Sequence, residues 1–181
     1  MHGLRIPPSL HTDIPEGAAG TRETLKQMRR LVQDGKTDLG LRDLVQQIIA
    51  NVPGKDWFGE LCALLNFVRR RIRYSLDTND IEVIQGAATT LALGYGDCDD
   101  LSILLATLCE CAGHPCAFAA LGFDEVGSYS HVLVLASGAG ETDWIALDAS
   151  EGQPAGWYPP GVLCELICPI TAVAESQLGT A

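Results

Sequence analysis

Apolar residues recur at helical spacing through the first half of the chain and gather into short strand-like runs in the second. Leu25, Met28, Leu31 and Val32 share one face of a 3.6-residue repeat over 22–34, with Thr21 as a candidate cap and Gly35 as the stop. Leu41, Leu44, Val45, Ile48 and Ile49 follow the i, i+3, i+4, i+7, i+8 pattern and predict a second helix over 39–51, halted by Pro53 and Gly54. Asp56 is placed to cap a third helix running through Tyr74, with Trp57, Leu61, Leu64, Leu65, Val68 and Ile72 on its apolar face. Its last turn carries Arg69, Arg70, Arg71 and Arg73, where cations complement the helix dipole. Helix stabilisation is the plain reading of that run; a ligand-binding basic patch is the sharper one.

A polar stretch, Asp77 to Asp80, leads into Ile81–Gln85, a short helix near 88–93 and the loop Gly94-Tyr95-Gly96-Asp97. A strongly apolar helix then spans about Cys98 to Ala112, carrying Leu101, Leu104, Leu105 and Leu108, and Gly113 suits the left-handed position after it. Beyond it the pattern shortens. Residues 115–123, 131–136 and 142–147 read as strands, Ser137 to Glu141 as the turn joining the last two, and a further strand falls near 162–167. Helices followed by an antiparallel sheet define the α+β class. Residues 1–20, with Pro7, Pro8 and Pro15, read as an extended arm, and 21–181 as a single domain.

Composition narrows the functional classes. A chain of 181 residues that is 47% apolar can bury one real core. A formal net charge of -11 argues against nucleic acid as a sequence-independent partner and against anionic membrane surfaces. No apolar run approaches the roughly 18 residues of a membrane helix, and the N-terminal stretch lacks the apolar region of a secretory signal. Seven cysteines without an export signal predict reduced thiols and a cytoplasmic protein.

The thiols differ in setting. Cys98 follows a Gly-rich loop and opens a helix, whose free N–H groups and positive partial charge lower a thiol's pKa and can hold an oxyanion. Asp97, Asp99 and Asp100 work against this, since their charge raises the thiol pKa. Cys62 and Cys109 lie on apolar helix faces, Cys111 is near a helix end, Cys116 is in a strand, and Cys164 and Cys168 fall in the C-terminal tail; packing accounts for all of them. Cys109, Cys111 and Cys116 lack the paired spacing of a zinc site, so no metal or other cofactor is expected.

The predicted hairpin supplies a base. Pairing Ala136 with Asp143 across the turn sets His131 opposite Asp148, on the face shared by Leu133, Leu135, Trp144 and Ala146. A carboxylate beside an imidazole fixes its tautomer and supports its protonated form. A one-residue slip would separate the pair. His2 and His11 lie in the arm, and His114, between Gly113 and Pro115, is accounted for by capping a helix end.

The run GYGDCDDLSILLATLCECAGHP (94–115) resembles the nucleophile segment of the transglutaminase-like superfamily, and SHVLVL (130–135) and WIALDAS (144–150) resemble its His and Asp segments. The resemblance covers a core of about 55–160. It implies a papain-like fold, with Cys98 as nucleophile, His131 as general base and acid, and Asp148 as orienter. It also implies cysteine-dependent acyl transfer on the amide bonds of a peptide or protein. Hydrolysis by a peptidase or amidase is the favoured form, and a cross-linking transglutaminase is an alternative. The short form is similar to stand-alone bacterial and phage-encoded members, so a virion-associated assembly protein that binds phage structural proteins is a further alternative. Gln85, in IEVIQG, is a candidate side-chain oxyanion donor, set against an ordinary polar residue; Trp157 and Tyr158 are candidates to line a substrate cleft, set against packing.

Overall fold

One helix has almost no solvent-facing side. In α5 (Cys98–Ala112) every residue from Asp100 to Cys109 is buried. Its two mid-helix hydroxyls are satisfied by carbonyls, Ser102 Oγ donating to Val132 O (3.2 Å) and Thr107 Oγ1 to Ile103 O (2.7 Å). A helix apolar all round must be covered all round. The computed structural model, which describes residues 17–75, 84–138 and 142–178, shows what covers it.

On one side lie α1 (Ala18–Gly35), α2 (Leu39–Ile49), α3 (Trp57–Arg71) and α4 (Ala87–Leu93). On the other lies an antiparallel sheet of β3 (Cys116–Gly122), β4 (His131–Ala136), β5 (Ile145–Leu147) and β6 (Cys164–Pro169), in the order β5-β4-β3-β6. The class is α+β, as expected. Strand β3 is buried along its whole length. Phe118 and Ala120 face the core around α5, while Ala119 and Leu121 meet Leu133 and Ala146 on the opposite face. Cover on both faces is why this segment shows no polar alternation.

Several boundaries differ from those predicted. Helix α1 starts at Ala18, after Gly17 in the left-handed region at φ 72°, so Thr21 lies inside it and bonds back to Gly17 O instead of capping. The first residues of α1 thus come from the stretch read as an arm; residues 1–16 lie outside the described residues. Helix α2 is capped by Asp38, whose Oδ1 accepts from Gly40 N and Leu41 N, and it ends at Ile49. Asp56 caps α3 as expected. That helix stops at Arg71, not Tyr74, because Ile72 turns extended and Arg73 N donates to Gly94 O (2.9 Å). The pair β1 (Arg73–Tyr74) and β2 (Tyr95–Gly96) is parallel, so part of the expected loop is strand. A Cβ at Gly96 would lie 2.6 Å from Asp100 Cβ, so the glycine lets β2 sit against the first turn of α5.

The hairpin register is shifted by two residues. Ala136 pairs with Ile145, Leu135 with Ala146 and Val134 with Leu147. The connection is longer than a tight turn, since 142–144 are not strand; residues 139–141 lie outside the described residues, as do Asp77–Asp80 and all of Ile81–Gln85 except its last two positions. A shift of two keeps every side chain on its predicted face. Cys164 and Cys168 lie in β6, not in a loose tail, and a sixth helix, α6 (Ala172–Leu178), follows, with Glu175 paired to Arg29 of α1 at 2.8 Å. Among the described residues no helix is long and apolar enough to cross a membrane.

If α5 is the central beam, truncating it should be costly wherever it is fully enclosed. Leu104→Ala is expected to lower unfolding free energy by about 2–5 kcal/mol in urea titrations, while Leu93→Ala, at a 45% exposed position, should stay within about 0.5 kcal/mol of wild type. Equal effects at the two positions would contradict this packing.

Candidate active site

The N-terminus of α5 is built by its cap. Asp97 Oδ1 accepts from Asp99 N (3.0 Å) and Asp100 N (3.2 Å), and Leu101 N donates to Asp97 O. Cys98 is the first helical residue. Of the first-turn N–H groups, only that of Cys98 has no bonded acceptor among the described residues. Asp100 Oδ1 accepts from Gln85 N at 2.7 Å, which pins the preceding segment to the same turn.

The Cys98 thiol lies 3.8 Å from Asp99 Oδ1. Burial pushes its pKa well above that of a free thiol, and the charges of Asp99 and Asp97 push it further; main-chain N–H groups of Val132 and Asp99 oppose them without prevailing. The helix N-terminus therefore does not yield the low-pKa thiol expected from position alone. The two carboxylates were visible as an opposing influence; burial, the larger one, was not.

His131 opens β4. Ser130 N donates to Leu121 O, and Ser102 Oγ holds Val132 O one turn into α5, so the start of the strand is fixed against the helix that carries Cys98. The imidazole Nε2 lies 2.7 Å from Asp148 Oδ2, with the two side chains 17% and 2% exposed. In the observed register Asp148 is just past the end of β5, so the contact is diagonal and not across a ladder rung. Asp148 Oδ1 accepts from Ser150 Oγ (2.7 Å), Ser150 N (3.1 Å) and Glu151 N (3.2 Å). Burial on its own would raise the Asp148 pKa; the bonds from His131, Ser150 and Glu151 together with the charge of His131 outweigh it and hold the carboxyl below its ordinary range.

Cys98 and His131 line one cleft of about 270 Å³, together with Asp99, Ser130 and, from α1, Thr24 and Met28. The structure thus joins His131 to Asp148 directly, and brings Cys98 and His131 to a common space. The other candidates fall elsewhere. Gln85 is tied to the α5 turn by its backbone, but its side chain is not on the described walls of this cleft; its Oε1 is buried without a bonded partner. Trp157 N donates to Pro154 O and the Tyr158 hydroxyl donates to Glu165 of β6; neither residue walls this cleft. The His114 N–H donates to Cys109 O, as a helix end requires, and its ring also bonds Glu60 of α3 at 2.9 Å.

Three contributors escaped the sequence reading. Helix α1 walls the cleft, although its apolar spacing marked only a core face. Ser150 holds the carboxylate, for which the short Asp-Ala-Ser spacing was a usable signal. Arg69, read as a dipole partner, donates through Nη2 to Asp148 O at 2.5 Å. Its neighbour Arg70 keeps to its own helix, bonding Asn66 O.

A fully bonded carboxylate leaves a mark on stability. Because the Asp148 pKa is lowered in the fold, its stabilisation is present above the pH range where an unfolded aspartate titrates, near 3.9, and is lost as pH falls through its lower native value. Asp148→Asn should therefore lose stability near pH 7 and show a flatter decline in unfolding free energy below about pH 4. Parallel acid-side slopes for the two proteins would contradict the bonding described.

Comparisons with known proteins bear on the fold and the family. No curated protein matches the chain. A candidate cysteine protease from Cytophaga hutchinsonii superposes with a TM-score of 0.52 at 19% identity, over 73% of this chain and 41% of that one. A candidate protease from Parabacteroides distasonis gives 0.54 at 13% identity, over 72% and 27%. The chain thus spans less than half the length of either. Legionella pneumophila LapG gives 0.51 at 16% identity, over 80% and 81%. At these identities the likeness is one of fold. The family model of the transglutaminase-like superfamily matches residues 42–149, more than half of the chain, from within α2 to just past Asp148, and the chain belongs to that superfamily.

Proposed function

We propose that the protein is a cysteine-dependent hydrolase of amide bonds, a peptidase or amidase, with Cys98 as nucleophile, His131 as general base and acid, and Asp148 as the residue that orients His131. The observation that carries the reading is the His131–Asp148 bond of 2.7 Å at the edge of a cleft shared with a helix-opening thiol. With Nε2 held by Asp148, Nδ1 is the ring nitrogen left to exchange a proton with sulfur.

The chemistry follows from a thiol that is protonated at rest. His131 takes the thiol proton as Sγ bonds to the amide carbonyl carbon, and negative charge moves to the carbonyl oxygen. The Cys98 N–H is the first-turn donor left for that oxyanion; the Gln85 amide, off the described cleft walls, is not used. Collapse breaks the C–N bond, and His131 returns the proton to the leaving amine. Water, deprotonated by His131, then attacks the thioester; the acid departs and the thiol is restored. Hydrolysis is favoured over cross-linking because water needs no second site, whereas an acceptor amine must be held in position to compete with it. A second reading, an assembly protein that keeps the fold without turnover, draws on the same raised thiol pKa.

The test is a glutamine-containing peptide library offered with and without a labelled primary amine. Release of ammonia or fragments without amine incorporation is the expected result. Efficient incorporation would make the protein a cross-linking enzyme, and no turnover of any member would favour the assembly protein. Two variants refine the roles. Asp148→Asn should lower kcat by about 10²- to 10⁴-fold, since Asn can accept a hydrogen bond but cannot stabilise imidazolium by charge. Asp99→Asn removes the larger of the two charges acting on the thiol and should speed iodoacetamide labelling of Cys98 at pH 7 by about threefold to tenfold. Unchanged labelling would mean that burial alone keeps the thiol protonated.

A further inference from the structure

Strand β5 ends at Leu147, so the ladder with β4 does not hold the backbone of Asp148. Yet that residue must be held, because its carboxylate sets the plane and tautomer of His131. Three bonds to Oδ1, from Ser150 N, Ser150 Oγ and Glu151 N, close residues 148–151 into a turn on their own, but they are internal to that turn. They fix the carboxylate relative to its neighbours and not relative to the rest of the protein. The link to the helical layer comes from Arg69 in the last turn of α3, whose Nη2 donates to Asp148 O at 2.5 Å.

The choice of an arginine here is informative. Its Nε is buried and has no bonded partner. An aliphatic side chain of similar reach would fill the same space without burying an unpaired N–H. What the guanidinium adds over an aliphatic side chain is the bond to the Asp148 carbonyl and a positive charge near two carboxylates, Asp148 and Glu151. Helix α3 packs on α5, whose first residue is Cys98. The chain of contacts therefore runs from the thiol-bearing helix through α3 and Arg69 to Asp148, and from Asp148 to His131.

We propose that Arg69 is a positioning residue of the site, clamping the 148–151 turn onto the helical layer so that Asp148 presents its carboxylate to His131 in one orientation. Its effect on activity rests on the cysteine-hydrolase reading; its effect on the His131–Asp148 pair does not. The groups facing Asp148 are His131 on β4, Ser150 and Glu151 on the turn, Arg69 on α3 and Tyr74 on β1. Arg69 supplies the positive charge from the helical layer among them.

The experiment compares Arg69→Met, Arg69→Lys and Arg70→Met in the full chain. The Asp148 carboxyl titration is followed by ¹³C NMR, the His131 Nε2–H proton is observed at low field, and Cys98 labelling is timed with iodoacetamide. Arg69→Met is expected to move the Asp148 midpoint upward, to shift or broaden the His131 ring proton, and to slow Cys98 labelling by about tenfold to a hundredfold. Arg69→Lys, which keeps the charge but loses the planar fork, should recover part of each change, and it serves as the test if the methionine variant does not fold. Arg70→Met removes the same charge one residue away and should match wild type in all three. A folded Arg69→Met or Arg69→Lys protein with wild-type titration and ring proton would overturn the assignment. If the pair responds while Cys98→Ala retains full peptide turnover, the hydrolase mechanism fails and the role of Arg69 stands.

Discussion

Helix α5 is enclosed on every side, and that enclosure determines where its two ends can be. Leu101, Ile103, Leu104, Leu105 and Leu108 are all at or below 1% exposure, and they are gripped by four helices on one side and by β3 and β4 on the other. A beam packed this tightly cannot slide or rotate without opening cavities. Its first turn therefore emerges at a set height beside the start of β4. The Ser102 bond to Val132 O fixes the alignment from within the core. Bringing Cys98 and His131 to one cleft is thus a by-product of burying an apolar helix, with only a few polar contacts added at the rim.

The same burial shapes the electrostatics. A thiol that opens a helix gains from the helix dipole, but the gain falls short here. Removing sulfur from water disfavours the thiolate, and two acidic neighbours, one of them the cap that makes the helix start at Cys98, disfavour it further. Opposite effects meet in the two partners. Burial raises the pKa of Cys98, whereas at Asp148 it is overcome by bonds to His131, Ser150 and Glu151. Burial and carboxylate charge thus favour the protonated sulfur at Cys98, while hydrogen bonds favour the carboxylate at Asp148. That arrangement suits a general base acting during attack and not a preformed thiolate–imidazolium pair.

Legibility in the sequence followed the range of the interactions. Residues Cys98 to Ala112 declared their helix and its cap because both signals are local: leucines at helical spacing, and an aspartate before the first turn. The strand at 131–136 was legible for the same reason. The hairpin register came out two residues away, because the path through the connection depends on where 142–144 leave the ladder, which no local rule specifies. The face survived the shift because side chains alternate with a period of two. Arg69 was readable only as a helix-end cation, since its partner lies 79 positions away. The raised thiol pKa had a visible part, the neighbouring carboxylates, and a hidden part, burial in the folded chain.

The central proposal is that Cys98 is a protonated thiol at rest, activated by His131 within one cleft. It is tested most directly by the rate of Cys98 alkylation against pH, mapped by mass spectrometry in the wild-type protein and in His131→Gln. The account predicts a wild-type rate that climbs steadily from about pH 6 to pH 9, with no plateau in the range of about 3.5–7.5 where low-pKa active-site thiols titrate. A plateau in that range that disappears in His131→Gln would show a standing thiolate–imidazolium pair and contradict it.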